Sequence, residues 1–175
     1  EVFLFECYTG IRISDILTLK WKHITDEKIS IRMRKTEKLL SIPINDYVRA
    51  VLDRRRCAVE NNGGKITSEK YVFNILKVDV DEVSEQDALN AISSATAVIN
   101  KQLKKKKKKT GIDKNLSTHC ARHSYATALL TNNIPLPVIK EMLGHSDIKV
   151  TQIYAKVVDS KRNEVVECLN KVYHG

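Results

Sequence analysis

The sequence predicts a mainly helical α+β domain in which one small antiparallel β-hairpin packs on a helical bundle. Three observations carry this. Apolar residues recur at helical spacing over most of the chain, notably in 46–61, 84–103, 118–130 and 161–173. A single stretch, 28–44, alternates with period two instead. The length of 175 residues suits one domain with a real core, so residues 1–175 read as one domain ending in a tail helix over 158–175.

The elements follow in order. Val2–Tyr8 reads as a buried helix stopped by Gly10. Ser14 is the expected N-cap of the next helix, with Asp15 in its first turn, where the helix dipole favours an anion, and Ile16, Leu17 and Leu19 inward. In 28–34, Ile29, Ile31 and Met33 share one face, and Leu40, Ile42 and Ile44 alternate in the same way after Lys35-Thr36-Glu37-Lys38. The pair reads as a hairpin with Lys35 at the start of its turn, and Pro43 belongs on an edge strand. Asp46–Asn61 is helical with Tyr47, Val48, Val51 and Leu52 inward, and Asn62-Gly63-Gly64 ends it. Lys70–Leu76 is a short apolar piece of undetermined type.

A long helix is expected from about Ser84 through Leu89, Ile92, Ile99 and Leu103, with its end leaving the core or exposed where lysines replace the apolar positions. Ser117 or Thr118 caps a helix to about Leu130, and Asn132-Asn133 ends it. Pro137 suits the start of a helix whose apolar side is Val138, Ile139, Met142 and Leu143, closed by Gly144. Asp147 opens the segment carrying Thr151 and Tyr154. The tail helix bears Val165, Val166, Leu169 and Val172, a stripe that suits either its own domain or a neighbouring subunit.

Composition bounds the function classes. With 42% hydrophobic and 29% charged residues the chain lies outside the disordered class. No apolar run reaches the roughly 18–20 residues of a membrane span. The net charge of +9 points to an anionic partner, yet the six consecutive lysines at 104–109 account for two thirds of it. Cys7, Cys57, Cys120 and Cys168 lie far apart without a CxxC pair, which argues against a zinc site or disulfide framework and suggests buried thiols in a reducing compartment.

The chemistry concentrates in THCARHSYATALLTNNIPLPVIKEMLGHSDIKVTQIY, which holds His119, Arg122, His145 and Tyr154. His119 and Arg122 are three apart on a helix and share a face. Arg12 and Asp15 repeat that spacing upstream. Arginine forks onto two phosphate oxygens, so two arginines can hold one phosphate from two sides and stabilise a pentacoordinate transition state. Two imidazoles can move protons, and a phenol with a pKa near 10 becomes a nucleophile beside a base or cations. Each residue alone has an ordinary explanation: a surface pair, a helix C-cap, a core tyrosine.

Taken jointly, the residues and their intervals resemble one family. Arg12 lies in TGIRISDILTLKW; Arg122 follows His119 by three residues, His145 follows Arg122 by twenty-three and Tyr154 follows His145 by nine, in LGHSDIKVTQIYAKV. This pattern, over nearly the whole chain, resembles the tyrosine recombinases, also called the phage integrase family. The resemblance implies a site-specific recombinase that cleaves and rejoins DNA strands through a 3′-phosphotyrosine on Tyr154, as the integrase of a mobile element. It implies Arg12 and Arg122 on the phosphate, His119 in proton transfer supported by Asp15, and His145 on a non-bridging oxygen. The leaving 5′-oxygen would be protonated by a hairpin lysine, Lys35 or, one turn along, Lys38, both of which would also contact DNA.

The same resemblance implies no cofactor and no metal, double-stranded DNA as partner, and a homo-tetramer on paired sites, coupled through the tail. It also implies action on the DNA of a bacterial cytoplasm, away from membranes. Because the chain opens without an initiator Met in mid-pattern, it is expected to be a fragment lacking the family's N-terminal core-binding domain. A type IB topoisomerase shares this chemistry, and an idle DNA-binding module is the third reading. The lysine run is not part of the family pattern and reads as a solvated surface or a phosphate contact.

Overall fold

The computed structural model describes residues 1–154, and the expected tail helix with Val165, Val166, Leu169, Val172 and Cys168 lies outside the described residues. The chain forms two compact units, residues 1–125 and residues from 126 onward.

The first unit opens with α1 (Val2–Thr9), which ends where Gly10 takes a left-handed conformation with φ 65°. Gly10 N–H donates to the Glu6 carbonyl at 2.8 Å, closing the last turn. Helix α2 (Ile13–Leu17) follows after two residues. Its N-cap is Arg12, whose side chain makes no capping bond, and Ser14 lies inside the helix. The expected Ser14 cap is therefore corrected; Asp15 does occupy the first turn.

Strands β1 (Lys28–Arg32) and β2 (Leu39–Pro43) form one antiparallel sheet, in register from Lys28 opposite Pro43 to Arg32 opposite Leu39. Pro43 sits in the last pair of the ladder, opposite Lys28, where a strand tolerates proline. Ile29, Ile31, Leu40 and Ile42 point inward, and Met33 continues that face. In the turn, Glu37 N–H donates to the Met33 carbonyl and Met33 N–H to the Lys38 carbonyl, each at 2.9 Å. This geometry forces Glu37 to φ 56°, in the left-handed region.

Helix α3 (Asp46–Asn61) is capped by Asn45, whose side chain accepts from Val48 N–H. Val48, Val51 and Leu52 are buried as expected, whereas Tyr47 is 67% exposed and stacks on Tyr8 instead, with ring centroids 5.1 Å apart. Its phenol ring finds a partner without entering the core. The Lys70–Leu76 segment is neither helix nor regular strand. It lies along residues 19–22, with Trp21 N–H bonding the Lys70 carbonyl and Val72 N–H the Leu19 carbonyl. Phe73 packs edge-on against Phe5 at 5.1 Å.

Lys20 is buried beside this segment and forms a charge cluster. Its ammonium donates to Asp81 at 2.7 Å and to Asp79 at 3.0 Å. Burial would lower its pKa, but the Asp81 and Asp79 carboxylates outweigh burial and raise it. The Tyr71 hydroxyl donates to Asp79 at 2.8 Å and accepts from Val80 N–H at 2.9 Å. Burial, opposed by Val80 N–H and reinforced by Asp79, raises that phenol to about 12.

Helix α4 (Glu85–Thr110) starts at its Ser84 cap and runs through the lysine run to Gly111, which is left-handed at φ 68°. Ala88, Ile92 and Ala95 join Leu17, Leu76 and Val80 in a core cluster, with Ile99 partly buried against it. Leu89, expected inward, is 50% exposed. Most of the lysines project into solvent, so the helix outlasts its core contacts; cations near its C-terminal end suit the helix dipole. Helix α5 (Thr118–Thr131) is capped by Ser117, whose hydroxyl accepts from Cys120 N–H. Thr118 N–H donates to Asn100 of α4 at 2.9 Å.

The second unit continues with α6 (Leu136–Leu143) and α7 (Lys149–Gln152). Asn133, at φ 61°, ends α5, and Pro137 sits in the first turn of α6. Ile139 and Leu143 are buried, while Val138 is 45% exposed, so the expected apolar side is narrower by one residue. Gly144, left-handed at φ 62°, ends α6. Asp147 accepts from Lys149 N–H at 2.9 Å and so opens α7. Among the described residues no helix is long and apolar enough to cross a membrane, and no cluster of His, Cys, Asp or Glu could hold a metal ion. Cys7 and Cys120 are half-buried but Cys57 is exposed on α3, against the expectation that the thiols are buried.

The left-handed turn residue makes the hairpin testable. A non-glycine residue there carries roughly 1 kcal/mol of backbone strain. Glu37→Gly is expected to raise the unfolding free energy by about 0.5–1 kcal/mol in urea titrations, and Glu37→Val to lower it by a similar amount or more.

Candidate functional site

In the first unit the site is built around the end of α1. Gly10 turns the chain so that Ile11 is buried and Arg12 opens α2 half-buried. Arg12 Nη1 donates to the Met33 sulfur of the hairpin at 3.2 Å. One turn on, Asp15 is 3% exposed, and its Oδ1 accepts from Arg34 N–H at 3.0 Å. The carboxylate therefore ties α2 to the hairpin. Burial raises the Asp15 pKa, against the Arg34 N–H and the positive charges of Arg12, Arg122 and Arg34. Asp15 Oδ2 is buried with no hydrogen-bond partner among the described residues.

Arg122 comes to this point from α5. It is buried, at 6% exposure, and its guanidinium donates to the Gly10 carbonyl. Glu6 of α1 is 2% exposed. Burial pushes its carboxyl up to about 8, with the Arg122 charge opposing. Arg12, Asp15 and Arg122 are thus brought into one charge cluster, and Glu6 and Arg34 complete it.

The other expected residues of this unit stand further out. His119 is exposed in the first turn of α5, edge-on to His123 with centroids 4.3 Å apart. Burial, then His119 and Arg122, lower the His123 pKa. A three-residue step on a helix leaves about 60° between side chains, and α5 uses that difference to bury Arg122 while exposing His119. Lys35 and Lys38 are both exposed on the hairpin. The cluster meets the hairpin through Met33 and Arg34, and Lys38 is held in the ladder by its carbonyl while Lys35 rides the turn.

In the second unit, His145 directly follows Gly144, with its N–H on the Lys140 carbonyl at 3.0 Å. Its ring is 9% exposed, and Nδ1 lies 3.0 Å from the Thr151 hydroxyl. Tyr154 follows α7 and is 6% exposed, its N–H bonded to the Thr151 carbonyl at 3.1 Å. Thr151, fully buried, therefore touches both expected residues of this unit.

Sequence reasoning missed Glu6, His123, Arg34 and Thr151. His123 and Thr151 carried a weak signal, lying one turn from His119 and three residues before Tyr154. Glu6 carried a stronger one, a carboxylate inside the apolar VFLFECY helix.

Residues 2–161 match the Phage integrase family, and the chain belongs to that family. The tyrosine recombinase XerD of Staphylococcus aureus strain Mu50 is 32% identical over 154 residues, covering 87% of this chain and 48% of the relative. The crystal structure of XerA recombinase superposes with a TM-score of 0.66 at 23% identity, over 98% of this chain and 56% of that one. The Tn1549 transposon integrase, solved in complex with a circular intermediate DNA, gives a TM-score of 0.58 at 22% identity, over 87% of this chain and 52% of that one. The fold is thus that of the tyrosine recombinase catalytic domain. The chain spans about half the length of the curated relatives it matches.

The buried carboxyl of Glu6 makes stability depend on pH. Its folded pKa of about 8 lies above the ordinary 4.5. Between those values the folded state holds a proton that the unfolded chain has lost. Its contribution is therefore complete below pH 4.5 and lost as pH rises through 8, with a slope of up to about 1.4 kcal/mol per pH unit. Urea unfolding should show stability falling from pH 5 to 8 more steeply in the wild type than in Glu6→Gln.

Proposed function

We propose that this chain is the strand-exchanging part of a site-specific DNA recombinase, working through a covalent phosphotyrosine. The observation that carries the reading is the cluster of half-buried Arg12 with buried Asp15 and Arg122, in a chain that belongs to the phage integrase family. Two arginines converging on one carboxylate supply the charge that a phosphodiester requires. Burial strengthens their pull on an incoming anion because the local dielectric is low. The DNA complex of the transposon integrase supports duplex DNA as substrate and a mobile element as setting.

In this mechanism the Tyr154 hydroxyl oxygen attacks the scissile phosphorus. The P–O5′ bond breaks, leaving a 3′-phosphotyrosine and a 5′-hydroxyl. Arg12 and Arg122 each neutralise charge on the non-bridging oxygens. The phenol must lose its proton as it attacks, and His119 is the acceptor, with Asp15 holding the arginine cluster in place. His145 donates from Nε2 to a non-bridging oxygen. For neutral imidazole that donor exists only when Nδ1 accepts, so the Thr151 hydroxyl fixes the tautomer by donating to Nδ1. The leaving 5′-oxygen takes its proton from Lys35 at the exposed turn, with Lys38 the other candidate. A 5′-hydroxyl from a partner strand then attacks the phosphotyrosine and restores the backbone. The bond energy stays in the enzyme link, so no cofactor is consumed. Exchange between two duplexes requires four active sites, which fits a homo-tetramer on paired DNA sites in a bacterial cytoplasm.

Incubation with a pool of nicked suicide duplexes of randomised sequence is expected to trap a covalent protein–DNA band that Tyr154→Phe cannot form. An adduct that survives Tyr154→Phe would sink the assignment of the nucleophile. Arg122→Lys should slow trapping by about 100-fold or more, since lysine cannot present two parallel donors. Thr151→Val should slow it about tenfold while Thr151→Ser should not. Between the two lysines, only the true acid should slow cleavage when replaced by alanine and recover with a 5′-bridging sulfur, whose leaving group needs no proton.

A further inference from the structure

We propose that Glu6 is the positioning residue of Arg122: its buried carboxyl group sets where the guanidinium points, and the charge on that carboxyl sets how much of the arginine's charge is left for a phosphodiester. The inference rests on the reading of Arg122 as a phosphate-binding residue, but its structural half stands apart from it. The geometry is local. Glu6 lies on the last turn of α1, its carbonyl accepts from Gly10 N–H at 2.8 Å, and the Gly10 carbonyl in turn accepts from Arg122. Glu6 and the residue whose carbonyl anchors the guanidinium are thus joined by the hydrogen bond that closes α1. Glu6 is 2% exposed, and its Oε2 is buried without a hydrogen-bond partner among the described residues.

A carboxyl in such a place is costly unless something compensates it. Arg122 is the cation that opposes the effect of burial on Glu6, and the thiol of its neighbour Cys7 is raised by burial and then by the Glu6 carboxylate. Arg122 also acts on Asp15 from α2 and on Tyr125 from its own helix. Two charge states follow. Protonated, Glu6 offers a polar wall with no net charge, and Arg122 keeps its full charge for an anion. Ionised, Glu6 becomes a counterion that neutralises the guanidinium and repels a phosphate. Binding of a phosphodiester at Arg122 should therefore be linked to proton uptake by Glu6, and affinity should fall as Glu6 ionises.

The test uses the full chain with labelled arginine side chains and glutamate carboxyls. By NMR, the Arg122 Nε resonance of the wild type should move with a midpoint near pH 8, coincident with the Glu6 carboxyl. In Glu6→Gln that step should vanish with the guanidinium still rotationally restricted; in Glu6→Ala rotation about its Nε–Cζ bond should quicken at least severalfold. In parallel, affinity for a 30-base-pair duplex at fixed salt should weaken severalfold from pH 7 to 9 in the wild type and less than twofold in Glu6→Gln. An Arg122 step that persists in Glu6→Gln overturns the proposal, as does equal pH dependence of binding in the two proteins. Should Glu6→Ala fail to fold, the isosteric Glu6→Gln carries both measurements. Should Tyr154 form no adduct with DNA while the Arg122 step still vanishes in Glu6→Gln, the recombinase reading fails and the placement of Arg122 by Glu6 stands.

Discussion

The Arg122 guanidinium donates to the Gly10 carbonyl, and the organisation of the first unit follows from satisfying that buried cation. A charge at 6% exposure needs polar partners, and here the end of α1 supplies the Gly10 carbonyl and the Glu6 carboxyl group, while α2 supplies Asp15. Asp15 then bonds the Arg34 N–H, so the hairpin is fixed to the same cluster. One guanidinium thus draws the end of α1, the start of α2, the hairpin and the start of α5 to one point. Among the described residues, Glu6 Oε2 and Asp15 Oδ2 are buried without a hydrogen-bond partner.

Two glycines act in the same way in the two units. Gly10 and Gly144 each end a helix in the left-handed conformation, and each is followed within two residues by a residue of the proposed chemistry. The abrupt reversal turns the chain while its amide still bonds back to the helix, so Arg12 and His145 leave rigid ends instead of loose loops. The Lys20 cluster plays a purely structural part by comparison. Its carboxylates hold the 70–81 segment against α2 and the Trp21 turn, giving a segment without regular structure the connections that a strand would otherwise provide.

Most of the fold was legible in the residues because its signals are local. The long helix α4 begins directly after Ser84, Ser117 caps α5, and Gly10 and Gly144 end their helices. The hairpin followed from strict alternation of Ile29, Ile31, Leu40 and Ile42. Three of the errors share one cause. Tyr47, Leu89 and Val138 fit the apolar period of their helices, but the buried stripe is narrower than that period and turns them outward. Ser14 had the chemistry of a cap, yet α2 begins at Ile13, three residues after Gly10, which leaves Arg12 in the cap position.

The sequence by itself determined the family of the chain and the identity of the candidate residues, because their types and intervals are properties of the chain and survive without coordinates. Only the tertiary structure decided which of them share an environment. Burial and charge compensation depend on residues far apart in sequence: Arg122 meets a carbonyl 112 positions away, and Asp15 meets an amide 19 positions away. For the same reason the structure alone brought Glu6 to Arg122. A carboxyl group acquires such a role from the groups that surround it, and no local spacing encodes those groups.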